Sequence, residues 1–209
     1  MTYKDPRTET QLTTSTYSGT VTVPATVAHG GHTYTVVEIG RKAFCFAEKL
    51  NGVNILNTVR SIRFMAFGMT GLTQLHIPAS VVKIENGFLQ QSRKMKAITV
   101  SSQNPCYKAS GNVLFSKDMS RLIYCTPATR RSYTIPSSVK RLEDCAFAFC
   151  NIHSLTIPAS VGVFVGDPFI GLNFTKLTNK ALPTARHIPM HKGQICYEMA
   201  PGIYNRATR

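Results

Sequence analysis

Acidic side chains are scarce in this chain. Ten Asp and Glu stand against 24 Lys and Arg, and charged residues make up only 16% of 209 positions. No run of 18 apolar residues occurs, so the sequence contains no membrane-spanning helix. The opening MTYKDPRTET lacks the apolar segment of an export signal. None of the six cysteines forms a Cys-x-x-C, and no Cys/His spacing fits a zinc site. Glycine-rich phosphate loops, HExxH and GxSxG are missing too. No cofactor, metal or catalytic machinery is implied, and the expectation is a protein that is not an enzyme.

What is present is apolar material for a core (43% hydrophobic) and many Thr, Ser and Gly, a mix that favours strands and turns over long helices. The positive charge is clustered. Residues 93–141 carry Arg93, Lys94, Lys96, Lys108, Lys117, Arg121, Arg130, Arg131, Lys140 and Arg141 against Asp118 alone. Such a surface attracts nucleic acid, acidic glycans or anionic lipid, and it equally serves as a solvated face.

Repetition decides the architecture. Strand-like cores recur at Val21–Val23, Val53–Ile55, Leu75–Ile77, Ile98–Val100, Tyr133–Ile135 and Leu155–Ile157. Ile55 to Ile77 and Ile135 to Ile157 both span 22 residues. After the strand comes a proline (Pro24, Pro78, Pro136, Pro158), a small polar pair, then a valine (Val27, Val81, Val139, Val161). Three residues on lies Ile62, Ile84, Leu142 or Phe164, and then an aromatic: Phe44, Phe67, Phe88, Phe147 or Phe169. Alternation points Leu75 and Ile77 inward and Gln74 and His76 outward. Pro78 cannot donate to a ladder and turns the chain. Met95 (Leu50, Leu72 and Ile152 elsewhere) closes the coil. One coil is too small to stand alone, whereas stacked coils bury one continuous column, which predicts a repeat solenoid.

The segments IPASVVKIENGF (77–88), IPSSVKRLEDCAF (135–147) and IPASVGVFVGDPF (157–169) resemble the BspA-type leucine-rich repeats. The lead-in at 17–44 resembles the opening of such arrays, and 104–127 resembles an insertion that recurs in them. The resemblance covers about residues 17–172. It implies a right-handed superhelix of short β-strands and turns with little helix. It also implies a surface or secreted adhesion protein, of the kind found in gut and oral Bacteroidetes and some protists. The implied partner is a protein or glycan, host extracellular matrix included. Leu56 in place of proline, and a turn one residue short before Phe88, depart from the pattern.

In chain order, residues 1–39 read as a polar lead and a capping hairpin, Val21–Val27 and Thr33–Ile39 around Gly30-Gly31. Residues 40–172 are the solenoid, with a hairpin insertion at about 101–131 that projects from or widens one coil. Residues 173–209 are a divergent cap or a tail. Cys106 and Cys125 flank the insertion, and pairing between them stays open. Pro189 between His187 and His191 argues against a metal-binding helix face. Asn173-Phe174-Thr175 is a glycosylation sequon, meaningful in a eukaryotic host.

Two surfaces are candidate sites. The outward strand row carries Asn54, Gln74, His76, Thr99, Thr134 and Thr156, small, polar and uncharged. It is either a binding face of an extended solenoid or a solvated sheet with stabilising Thr pairs. His76 has no Ser or Cys nucleophile with an orienting acid beside it, so it reads as surface polar. A second row, Arg60, Arg63, Lys83, Lys140 and Arg141, forms a basic stripe suited to polyanions, nucleic acid or sulfated glycan. Nucleic acid is the less favoured of these, because the aromatics sit at core positions rather than on the surface.

Overall fold

The structure, a computed structural model, describes residues 16–129, 131–172 and 175–181, together with the backbone of 191–192, 195–196 and 202–205. The first half contains β1 (Ser18–Val23), β2 (Thr26–His29), β3 (His32–Thr35), β4 (Glu38–Ile39), β5 (Lys49–Ile55), β6 (Ser61–Ile62), β7 (Gln74–Ile77), β8 (Lys83–Ile84) and β9 (Ala97–Val100). The insertion supplies β10 (Tyr107–Ser110), β11 (Val113–Ser116) and β12 (Arg121–Cys125). The second half contains β13 (Ser132–Thr134), β14 (Arg141–Leu142), β15 (Ser154–Ile157), β16 (Val163–Phe164) and β17 (Lys176–Asn179), followed by β18 (His191–Lys192), β19 (Ile195–Cys196) and β20 (Gly202–Asn205). No helix occurs among the described residues, and hence none long and apolar enough to cross a membrane.

These strands form a β-solenoid of about six turns. Each coil has three sides. The first is the strand row, paired in parallel as β1-β5, β7-β9 and β13-β15-β17. The second is a two-residue strand, stacked as β4-β6-β8 and β12-β14-β16. The third is the aromatic turn. There Phe44 N donates to Ala66 O, Phe67 N to Phe88 O and Phe147 N to Pro168 O. β20 runs antiparallel along β17 and covers that edge of the row.

The aromatic turns solve a local problem. Consecutive coils can bond here only if N–H groups point along the stacking axis. Four of the turns therefore put two residues, four apart, into the left-handed region: Lys42 and Phe46, Met65 and Met69, Gly87 and Gln91, Cys145 and Phe149; in the Phe169 turn the left-handed residues are Gly166 and Gly171. In the four pairs all except Gly87 and Gln91 donate their N–H to the next coil, as from Met65 to Gly87 O and from Phe149 to Ile170 O. The conformation costs a non-glycine residue roughly 1–2 kcal/mol, and the inter-coil bond offsets it. Gly87, like Gly166 and Gly171, is spared that cost, and a Cβ at Gly87 would also meet the Phe64 ring at 3.0 Å.

The inward positions behave as the frame demands. Leu75, Ile77, Val81, Ile84, Phe88 and Met95 are all buried, while Gln74 and His76 are exposed. Phe44 stacks on Phe67 with centroids 5.5 Å apart, and Phe147 on Phe169 at 5.7 Å. Such ring pairs add to the burial of their area.

Two expectations need correction. The core is not one column but two clusters, and the insertion divides them. Rather than projecting, it widens a coil as an antiparallel meander, β10-β11-β12, whose last strand joins β14. Its residues feed both sides. Leu114, Ile123 and Tyr124 pack into the first cluster, while Val113, Phe115, Leu122 and Cys125 pack into the second. The N-terminal hairpin is also shorter than expected. Val21–Val23 belongs to β1, in parallel with β5, and the hairpin is β2-β3, exposed at all eight positions.

Buried polar groups seat the meander. Asn104 is fully buried; its Nδ2 donates to Pro78 O and Val81 O, and its Oδ1 accepts from Cys106 N and Tyr107 N. Every hydrogen-bonding site of the amide is used or geometrically committed. Glu143, with a side chain only 1% exposed, accepts from Arg121 Nε (2.6 Å), Arg141 Nε (2.9 Å) and Asn86 Nδ2 (3.2 Å). Burial pushes its carboxyl up, but the bonds from Arg121, Asn86 and Arg141 outweigh burial and hold it below its usual range. Glu143 thus ties the first half (Asn86) to the meander (Arg121) and the second half (Arg141).

Asn104→Ala is expected to lower unfolding free energy by roughly 2–3 kcal/mol in denaturant titration, because it strands Val81 O and the N–H groups of Cys106 and Tyr107. A depressed carboxyl contributes stability that is complete above the unfolded glutamate pKa, about 4.3, and is lost as pH falls through the folded value. The thermal midpoint is therefore expected to drop on acidification below about pH 4.3, and to drop less steeply in Glu143→Gln.

Candidate functional site

The strand row is where polar side chains converge. It is a ladder only in part, because β5 and β7 are not hydrogen-bonded to each other. Between them opens a cleft of about 210 Å³ with Val53 and Leu75 at its base and Asn54, Gln74, His76 and Thr99 on its walls. The period-two alternation places these four side chains outward, and the coil spacing brings them level. His76 sits beside Thr99 in β7-β9 register, with Nδ1 and Oγ1 2.9 Å apart. On the other bank Asn54 sits beside Thr22, and its Nδ2 donates to Thr22 Oγ1 at 3.2 Å. No Asp or Glu lines the cleft. The arrangement offers amide, hydroxyl and imidazole groups for neutral hydrogen bonding, and no nucleophile activated by a base and an orienting acid.

Thr134 and Thr156 lie in a separate sheet, level with each other and with Thr178. Thr156 is half-buried and Thr134 exposed. The insertion separates this Thr ladder from the cleft, because no strand bonds β9 to β13. The six strand-face residues therefore form two groups.

The cationic row is likewise divided. Arg60, Arg63 and Lys83 accompany β4-β6-β8, whereas Lys140 and Arg141 accompany β12-β14-β16. Arg63 is ion-paired to Glu38 (3.3 Å) and Glu85 (2.9 Å), and Arg141 to Glu143. Arg60, Lys83 and Lys140 are exposed, and Arg60 stands between the exposed Val37 and Val82, bonded to both through the backbone. The stripe is thus interrupted by its own counterions. The signal for this was present: Arg63 and Glu85, like Arg121 and Glu143, have opposite sign at a spacing of 22 residues.

The five described cysteines are free thiols. Cys106 packs against the first core and Cys125 lies within the second, so the flanks of the insertion are not bridged. Burial raises the Cys45 thiol, pushes Cys145 up to about 12 with help from Asp144, and raises Cys150 well above its ordinary value. Cys150 Sγ donates to Cys125 O at 3.1 Å. Among the described residues no group of His, Cys, Asp and Glu is placed to hold a metal. His187 and the residues Asn173 and Phe174 of the sequon lie outside the described residues, as does the His191 side chain.

A family profile described as BspA type Leucine rich repeat region matches in six copies, over residues 32–127 and 117–185. Solved structures share the fold. A leucine rich cell surface protein from Faecalibacterium prausnitzii is 28% identical with a TM-score of 0.60, over 71% of this chain and 37% of that one. The pneumococcal vaccine antigen PcpA is 16% identical with a TM-score of 0.62, over 78% of this chain and 61% of that one. A leucine-rich repeat protein from Eubacterium ventriosum is 22% identical with a TM-score of 0.53, over 78% and 55%. This chain thus spans between about a third and three fifths of these relatives. No curated protein sequence matches it.

The thiol environments have a chemical readout. In the native protein at pH 8, Cys145 and Cys150 are expected to resist iodoacetamide and to be labelled only after denaturation, as read by peptide mass spectrometry. Rapid native labelling of the peptide holding both would contradict their placement.

Proposed function

Because the chain belongs to the BspA-type leucine-rich-repeat family, we propose that it is a non-enzymatic recognition module, at the cell surface or secreted, that binds a protein or glycan through its strand face. The single observation that carries this reading is the cleft between β5 and β7, walled by Asn54, Gln74, His76 and Thr99. Extended solenoid faces are binding surfaces by virtue of their repeated, level side chains. Here the break in the ladder adds depth to an otherwise flat row. Uncharged donors and acceptors over an apolar base suit a partner that is read by hydrogen bonds and shape. The surface assignment draws support from the Faecalibacterium relative, described as a cell surface protein.

The polyanion reading, in which Arg60, Arg63, Lys83, Lys140 and Arg141 act as one stripe, is the weaker. Glu38, Glu85 and Glu143 neutralise two of its five members.

The two separate by charge reversal and salt. Using immobilised extracellular matrix protein as the probe, binding by the strand face is expected to persist at about 200 mM salt, where phosphate-type contacts fade. The triple change Gln74→Glu, His76→Glu, Thr99→Glu is expected to weaken it at least about tenfold, the effect of losing about 1.4 kcal/mol at a binding centre. Arg60→Glu with Lys83→Glu is expected to change it little. Binding that vanishes with salt and with the Arg60/Lys83 pair, while tolerating the triple change, would favour the stripe instead.

A further inference from the structure

The insertion creates a second opening. Both ladders of the solenoid stop at it, and the segment leading into β9 and the segment leading toward β13 border a cleft of about 520 Å³. Arg93, Lys94 and Lys96 come from the first segment, Pro127 and Ala128 from the second, and Phe149 from the following aromatic turn. It is open to solvent along one side rather than enclosed.

Its charge differs in kind from that of the stripe. Arg93, Lys94 and Lys96 have no acidic partner among the described residues, and no Asp or Glu lines the cleft. Asp118, the one acid in the basic region 93–141, is engaged by Ser116 and Ser120 in its own turn. The Arg93 guanidinium lies over the Phe149 ring, 4.7 Å from its centre, a contact that holds the charge in place before any ligand arrives. Phe149 owes its position to the left-handed turn that directs its N–H to Ile170 O.

Three N–H groups of this segment are already committed. Arg93 N donates to Gln91 O, Met95 N to Ser92 O and Lys96 N to Thr73 O. A peptide seeking strand-like pairing finds no donor at these three residues. The three cations lie within four residues, which makes a point of charge rather than a track along a nucleic-acid backbone. What the cleft combines is apolar lining (Pro127, Ala128) and a cationic cluster in which Phe149 holds Arg93.

We propose that this junction cleft binds an anionic oligosaccharide, its sulfate or carboxylate groups meeting Arg93, Lys94 and Lys96 and its rings lying against Pro127 and Ala128. The site is separate from the strand face, and neither proposal depends on the other.

The test uses the full chain and isothermal titration with a heparin hexasaccharide, its desulfated counterpart and a short duplex DNA at about 50 mM salt, where charge contacts are strong. Lys94→Glu with Lys96→Glu is expected to cut hexasaccharide affinity at least about tenfold, since hydrogen bonds between charged groups are among the stronger polar contacts. Both side chains are exposed, so the thermal midpoint is expected to hold, and a midpoint measurement excludes misfolding. Arg60→Glu with Lys83→Glu, and the strand-face triple change, are expected to leave the affinity unchanged. Weaker binding of the desulfated sugar assigns sulfate as the recognised group, and equal binding assigns the carboxylates; both support the site. No binding of either sugar, indifference to the Lys94/Lys96 change, or tighter binding of DNA with the same dependence on Lys94 and Lys96 overturns the proposal.

Discussion

The hydrogen bond that reaches from one coil to the next sets the terms for everything else. It recurs on all three sides, from Val82 N to Arg60 O on the short-strand side, from Phe67 N to Phe88 O at the aromatic turn, and along β7-β9 on the strand row. A coil that bonds its neighbours at every side must present its apolar residues inward at fixed intervals. Leu75, Ile77, Val81, Ile84 and Phe88 do this, and none has a core without the coils above and below. Stability is therefore a property of adjacent pairs rather than of single repeats. Even the left-handed residues at Lys42, Met65 and Cys145 serve this one requirement, since their strain aims an N–H at the next coil.

That dependence explains which parts of the molecule were legible in the sequence. The inward residues recur with a fixed frame and alternate with period two, so Leu75 in and His76 out follow from one dimension of information. The closing residues Leu50, Leu72, Met95 and Ile152 follow in the same way. What escaped are contacts whose spacing is not that of the frame. Asn86 reaches Glu143 across 57 residues, and Arg93 covers Phe149 only because of the path the insertion takes. The division of the core was hidden for the same reason. Val113, Leu114 and Phe115 read as one apolar run, and only the packing reveals that neighbours in it serve different clusters. Of the left-handed positions in the aromatic turns, only the glycines Gly87, Gly166 and Gly171 left a mark in the composition. The break between β5 and β7 left none that we identify, although Leu56 lies just past β5, where the repeat usually places proline.

Net charge also proves a poor guide to where charge acts. The chain carries +14, yet the row richest in aligned cations is the one threaded with Glu38, Glu85 and Glu143. The partly exposed pairs of Arg63 with Glu38 and Glu85 contribute little stability singly, about 0–1 kcal/mol, but like the buried Glu143 they cancel the local field. Three cations without an acidic partner among the described residues stand close together at Arg93, Lys94 and Lys96, whereas Arg60, Lys83 and Lys140 are spread along the stripe. The neutral cleft at His76 and the cationic cleft at Phe149 both lie where a ladder stops. Unbroken stacking leaves a smooth wall, and its two interruptions supply the recesses.

The meander β10-β11-β12 shows how such an array accommodates growth. Because successive side chains of β11 face opposite cores, it behaves as a bulkhead, with each compartment sealed against it separately. Apart from the contacts of Asn86 with Glu143 and of Arg93 with Phe149, each compartment packs its apolar side chains by itself. Gene duplication within such a chain has two independent places to lengthen the molecule, and the bulkhead fixes the distance between them.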